Sequence, residues 1–132
     1  MVPKRAEQPG RILVIDDEPA VQDLLERVLV NAGHQVTLAD SAEAALVTLT
    51  RERFDVLIVD NNLPKMSGLE LMSLVKEHHP DLRAIMITAY NTPAVEARAR
   101  ALGVVSYVAK PFGIVTIVGA VDDAIREGRR GI

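Results

Sequence analysis

Short aliphatic runs punctuate the chain: ILVI at 12–15, QVTLA at 35–39, VLIV at 56–59, AIMI at 84–87 and VVSYVA at 104–109. Most are unbroken Val, Ile and Leu, the mark of strands buried on both faces rather than strands with one wet side. Between them the apolar residues recur at helical spacing. From Pro19 to Ala32 the stripe Val21, Leu24, Leu25, Val28 and Leu29 predicts a helix stopped by Gly33. Ser41 is placed to cap a second helix, which runs to about Glu52 with Ala45, Leu46 and Leu49 inward. Gly68 to His78 carries Leu69, Leu71, Met72 and Val75, with Pro80 just beyond. Thr92 and Pro93 suit the cap and first position of a helix ending near Gly103, and a last helix is expected from about Ile114 to Glu127. Strict alternation of strand and helix implies parallel strands with right-handed crossovers. The expected fold is a doubly wound α/β sheet of five strands, in the order 2-1-3-4-5, with five helices.

Composition narrows the class. A chain of 132 residues with 48% hydrophobic content suits one domain with a substantial core. There is no Cys, hence no disulfide framework and no thiolate metal site. No apolar run approaches the ~20 residues that span a bilayer, and MVPKRAEQPG lacks an apolar signal core. The expectation is a cytoplasmic protein that does not bind membranes. A net charge of −3 with interspersed signs and only 3% aromatic residues argues against direct nucleic-acid binding. Residues 1–10 are expected to be a flexible tail, 11–127 the domain, and 128–132 a second tail.

In open parallel sheets ligands sit beyond the carboxyl ends of the strands. The residues expected there are Asp16 and Asp17 after the first strand, Asp60 after the third, Thr88 after the fourth and Lys110 after the fifth. Each has a bland reading when taken alone. The acid pair could favour a helix N-terminus, Asp60 could be a turn acid, Thr88 a strand-end hydroxyl, and Lys110 a solvated cation. Glu18 is assigned to the helix start. Convergence of all five on neighbouring strand ends favours a shared function. Three carboxylates beside an ammonium suit Mg2+, which prefers oxygen ligands, retained waters and a phosphate; with no Cys and no nearby His, zinc is disfavoured. Asp60 is then the candidate nucleophile toward phosphorus, with Lys110 and Thr88 bonding the phosphoryl oxygens. His34, His78 and His79 are expected at the surface of the opposite edge. Met66, Met72 and Met86 are expected to serve packing.

The motifs VIDDEP, VDNNLPKMSG, IMITAY and YVAKPF together resemble the receiver domain of two-component response regulators, over about residues 11 to 127. The resemblance implies a flavodoxin-like fold and a phosphoacceptor at Asp60, charged by a sensor histidine kinase or a histidine phosphotransfer protein. It implies Mg2+ bound by Asp17 and Asp60, by Asp16 through water, and by the backbone carbonyl of Asn62. Thr88 and Lys110 match the phosphoryl-binding pair, and Tyr107 the switch aromatic. In that scheme Thr88 moves toward Asp60 and lets Tyr107 turn inward. Ala89 matches the small residue beside the phosphate, and Pro64 and Gly68 shape the loop. Asn62 and Tyr90 stand where side chains tune the rates. The resemblance further implies autocatalytic phosphorylation and autodephosphorylation with no other enzymatic activity. The downstream partner is an effector protein or domain, or a second copy of the chain through the face of the fourth helix, fifth strand and fifth helix.

Two positions depart from the pattern. Val104 stands where a small alanine usually follows the glycine. GIVTIVGAVDDAI replaces the usual polar opening of the last helix, so that Ile114, Val115 and Val118 are expected to form an apolar partner face. The Lys110–Pro111 bond is expected to be cis, because the chain must deliver Lys110 inward and turn at once. Two alternatives compete. A degenerate receiver acting only as an interaction module would lack an acid, the hydroxyl or the lysine, and none is missing. A haloacid-dehalogenase-type phosphatase would need a D-x-D nucleophile after the first strand and a cap, which DDEPA and this length do not offer. Whether an output domain follows stays open.

Overall fold

The computed structural model describes residues 9–130. Its elements alternate as β1 (Arg11–Ile15), α1 (Pro19–Asn31), β2 (Gln35–Ala39), α2 (Ala42–Arg51), β3 (Val56–Asp60), α3 (Gly68–His78), β4 (Arg83–Thr88), α4 (Pro93–Ala101), β5 (Val104–Ala109) and α5 (Ile114–Arg130). The strands form one parallel sheet in the order β2-β1-β3-β4-β5. Burial on both sides explains the uniform apolar runs: Val56 to Asp60 in β3 and Ala84 to Thr88 in β4 are all buried. On one face Leu13, Leu57 and Met86 pack against Leu49 of α2, Leu71, Met72 and Val75 of α3, and Ala99 of α4. On the other, Ile12, Ile58 and Ile85 meet Leu25 and Leu29 of α1 and Ile117, Val121, Ala124 and Ile125 of α5.

Side-chain caps fix where helices begin. Ser41 accepts from the Ala44 N–H, and Thr92 from that of Val95. Ser67 and Glu70 form a reciprocal capping box at the start of α3. Pro19 and Pro93 occupy first-turn positions, where their missing N–H costs nothing.

Several expectations need correction. Helix α5 continues to Arg130, so the expected tail from 128 is helical as far as the description reaches. Gly10 is buried and gives its carbonyl to the Gln35 N–H, so the ordered chain begins before residue 11; the rest of the expected N-terminal tail, residues 1–8, lies outside the described residues. Leu24 is exposed rather than inward. His34 is buried, not a surface residue: it fills the space between Gly10 and α5. Val118 is also buried, because the inward stripe of α5 includes Ile117, Val118, Val121, Ala124 and Ile125. Only Ile114 and Val115 of the expected apolar face are exposed. Among the described residues, no helix is long and apolar enough to cross a membrane.

Candidate functional site

Parallel pairing carries the ends of β1, β3, β4 and β5 to one edge, with Ile15 level with Val59 and Asp60 level with Ile87. A register shift between β4 and β5 inserts Val105 and sets Met86 opposite Tyr107 and Thr88 opposite Ala109. Lys110 then hangs its N–H on the Thr88 carbonyl at 2.8 Å and aims its side chain back across the edge. The Lys110–Pro111 peptide is cis.

The acids gather as their positions demand. Carboxylate oxygens of Asp16, Asp17 and Asp60 lie within 4.8 Å of one another. Asp16 and Asp60 are buried, whereas Asp17 is exposed. Two backbone amides orient the buried pair: Glu18 N–H donates to Asp16 Oδ1 at 2.8 Å and Asn62 N–H to Asp60 Oδ1 at 2.9 Å. Their other oxygens face Lys110, whose Nζ is 3.3 Å from Asp16 Oδ2 and 3.2 Å from Asp60 Oδ2. A third carboxylate joins them, Glu18 Oε1 at 3.0 Å. Sequence reasoning missed this role, since an acid next to a helix start has a sufficient explanation until the position of Lys110 is known.

Charge in the cluster is unbalanced. Burial pushes the Asp16 carboxyl above its usual range, the Glu18 N–H pulls it back, the Asp60 charge raises it again, and Lys110 lowers it. Burial alone would lower the Lys110 ammonium, but the bond to Glu18 and the charges of Asp16 and Asp60 outweigh it and hold Lys110 above an ordinary lysine. Four carboxylates around one ammonium leave net negative charge at a half-buried edge. That all-oxygen donor set, open on the Asp17 side, fits Mg2+.

The loop after β3 is shaped by Gly68. A Cβ there would lie 2.7 Å from the Asp60 carbonyl oxygen and 2.8 Å from Asn61 Cα. Its N–H bonds the Asn61 carbonyl, and Asn61 Oδ1 takes the Leu69 N–H at 3.1 Å, so α3 starts directly against the phosphoacceptor candidate. Lys65 adopts a left-handed conformation with φ of 65° in the same loop.

Thr88 is fully buried. Its hydroxyl donates to Asn62 Oδ1 at 3.0 Å and accepts from the Tyr90 N–H at 3.1 Å. It therefore bonds neither Asp60 nor Lys110. Tyr107 packs against the core on the same face; its hydroxyl is buried without a hydrogen bond, and burial pushes its pKa up. The Tyr107 residue as a whole is half-buried, packed against the core while Thr88 is bound to Asn62. Ala89 and Tyr90 are exposed at the rim. Ile114 and Val115, at the first turn of α5, are exposed, whereas Val118 is buried and does not join them.

The family model for the response regulator receiver domain matches residues 12–122. Among curated proteins, the chain is 36% identical over 103 residues to the response regulator protein FleR of Pseudomonas aeruginosa, covering 78% of this chain and 22% of that protein. It is 36% identical to the DNA-binding transcriptional regulator NtrC of Klebsiella pneumoniae, over 89% of this chain and 25% of NtrC. It is also 36% identical to the probable transcriptional regulatory protein TcrX of Mycobacterium tuberculosis, over 84% of this chain and 47% of that protein. The chain thus spans between about a quarter and a half of the length of these relatives. Among solved structures, a CheY-like receiver domain protein from Methanospirillum hungatei superposes with a TM-score of 0.91 at 26% identity, covering 95% of this chain and 100% of that one. Vibrio cholerae CheY4 gives 0.84 at 26% identity, covering 89% and 99%. With the strand order, the strand-end acids and Lys110 all in the matched span, the chain belongs to the receiver domain family of two-component response regulators.

Proposed function

We propose that this domain accepts a phosphoryl group on Asp60 from a phosphohistidine of a sensor histidine kinase or histidine phosphotransfer protein, and passes the signal on by altering the face of α4, β5 and α5. The observation that carries the reading is the placement of Lys110 Nζ 3.2 Å from Asp60 Oδ2, at an edge shared with Asp16 and Asp17. A carboxylate oxygen of Asp60 attacks phosphorus; the new O–P bond forms as the P–N bond breaks, and the imidazole leaves and takes up a proton from solvent. Lys110 and Thr88 bond the phosphoryl oxygens, so the step depends on positioning and charge neutralisation. Asp17, Asp60 and the Asn62 carbonyl would hold Mg2+, with Asp16 acting through water, and the ion would supply the remaining neutralisation. Hydrolysis of the acyl phosphate by water resets the domain. No activity beyond this self-phosphorylation and self-dephosphorylation is assigned. The location that suits this chemistry is the cytoplasm, and the output is an effector protein or domain, or a second copy of the chain.

The intact set of Asp16, Asp17, Asp60, Thr88 and Lys110 favours this reading over a purely interacting module. Treatment with a small phosphodonor, followed by intact mass, tests it. One phosphoryl group should appear with Mg2+, and none with chelator or in Asp60→Asn. Labelling of Asp60→Asn at full yield sinks the assignment.

A further inference from the structure

We propose that Glu18 is a positioning residue: it holds the Lys110 ammonium in the unphosphorylated domain and competes for it with an arriving phosphoryl group. The inference rests on the phosphoacceptor reading of Asp60. An ammonium has three N–H donors and no acceptor. In this structure the three are matched by three carboxylate oxygens, at 3.0 Å from Glu18, 3.2 Å from Asp60 and 3.3 Å from Asp16. Lys110 cannot bond a phosphoryl oxygen without giving one of them up.

Burial decides which contact goes. The Asp16 side chain is fully buried and its other oxygen is tied to the Glu18 N–H. Asp60 loses its carboxylate charge on modification and frees the donor it held, which leaves Glu18 as the exposed competitor for the ammonium. The Glu18 side chain is 59% exposed, and among the described residues Lys110 is its one hydrogen-bond partner. Water can take over its solvation at small cost. Glu18 also stands at the N-cap of α1, yet its side chain makes no capping bond there. Its backbone N–H goes to Asp16 and its carboxylate to Lys110, while only its carbonyl serves the helix, accepting from the N–H groups of Val21 and Gln22.

The carboxylate acts in opposite senses on the two ligands of the site. As a nearby negative charge it favours a divalent cation. As a competitor for Lys110 it disfavours the phosphoryl group. A merely structural role would not separate the two.

The test uses the whole chain, with Mg2+ binding measured by calorimetry and beryllofluoride binding measured by fluorine NMR at saturating Mg2+; beryllofluoride stands in for the phosphoryl group. Glu18→Gln should weaken Mg2+ binding yet tighten beryllofluoride by about two- to five-fold, the scale of one exposed ion pair. Glu18→Asp keeps the charge but shortens the reach to Lys110. It should leave Mg2+ affinity near wild type and still tighten beryllofluoride. Unchanged or weaker beryllofluoride binding in both variants overturns the proposal. So does tightening in Glu18→Gln alone, which would make the effect one of charge and not of holding Lys110. Should wild type and Asp60→Asn bind beryllofluoride alike, the phosphoacceptor reading itself fails, and this inference with it.

Discussion

The hydroxyl of Thr88 donates its single proton to Asn62 Oδ1 at 3.0 Å, across the gap between β4 and the loop after β3. Together with the three matched donors of Lys110, this leaves the Thr88 hydroxyl and the Lys110 ammonium, the two side-chain groups proposed to bond a phosphoryl group, already engaged within the chain. The Lys110 and Thr88 donors form a satisfied network, and a phosphoryl group bound as proposed would exchange partners there. Such an exchange shifts a population by the difference between two sets of bonds, not by the full strength of either.

Removing the acceptor of Thr88 should therefore favour the modified state. Asn62→Ala deletes the side chain and keeps the backbone. Beryllofluoride should bind about two- to ten-fold tighter at saturating Mg2+, the scale of one neutral hydrogen bond. A titration giving equal or weaker affinity would show that Thr88 is not held back by Asn62.

Tyr107 offers a separate check of the same face. Its buried hydroxyl has no hydrogen bond, and an unmatched buried polar group costs stability. Tyr107→Phe should leave stability unchanged or raise it by up to about 1 kcal/mol in urea denaturation. A loss of more than about 1 kcal/mol would mean the hydroxyl is bonded in solution.

Two glycines make a paired experiment. At Gly68 a Cβ would run into backbone of Asp60 and Asn61, which cannot swing aside as a side chain can. Gly68→Ala should cost about 1–3 kcal/mol, as overpacking does, and slow labelling of Asp60 by displacing its loop. At Gly119, inside α5, a Cβ would meet nothing within 4 Å. Gly119→Ala should stabilise by about 0.5–1 kcal/mol through helix propensity. Denaturant midpoints of the two variants falling on the same side of wild type would contradict the argument.

The strand order and the strand-end residues were legible for a common reason. Burial on both faces leaves a run of Val, Ile and Leu that little else produces, and the residue ending each run is then fixed at one edge. What stayed hidden depends on helix rotation and on neighbours distant in sequence. His34 follows Gly33 in a turn and looks solvated; its burial comes from Gly10 on one side and Asp122 of α5 on the other. Val118 was misplaced because a helix with β-branched residues at 114–118 has apolar side chains all around its first turn, so spacing alone does not choose the inward arc. Glu18 was assigned to the helix because the acceptor of its charge, Lys110, lies 92 positions away.

Acid pH should weaken the fold through His34. Its Nδ1 accepts from the Gly10 N–H at 3.0 Å, so the neutral ring carries its proton on Nε2, which points toward Asp122 Oδ1 at 3.6 Å. Protonating Nδ1 would set a second N–H against that of Gly10. Burial lowers the His34 pKa below its ordinary 6.5, although Asp122 and Asp55 favour the charged form; Arg129 works with burial. The unfolded chain therefore takes up the proton first as pH falls. The stabilisation is full above pH 6.5 and is lost as pH drops through the folded value. Urea midpoints should fall from about pH 7.5 to about pH 5.5, and the fall should be smaller in His34→Asn, whose Oδ1 can still accept from Gly10. Identical pH dependence in the two proteins would exclude His34 as the cause.

Helix α5 presents neighbouring valines with opposite fates, and they separate folding from association. Val118 is 5% exposed, among Ile117, Val121 and the apolar side of the sheet; Val115, one turn earlier, is 61% exposed beside Ile114. Val118→Glu places an unpaired carboxylate in the core and should cost about 3 kcal/mol or more. Val115→Glu puts the same charge in water and should change stability by no more than about 0.5 kcal/mol. Any effect of Val115→Glu on self-association or effector binding would then report the surface and not the fold. Sedimentation of wild type and Val115→Glu, each with and without phosphodonor, measures it. If Ile114 and Val115 form a contact used in the phosphorylated state, the wild type should associate only when phosphorylated and the variant should not. Identical sedimentation of the two under both conditions would remove these residues from a self-contact, while a large stability loss in Val115→Glu would show that α5 is turned further inward than its exposed first turn indicates.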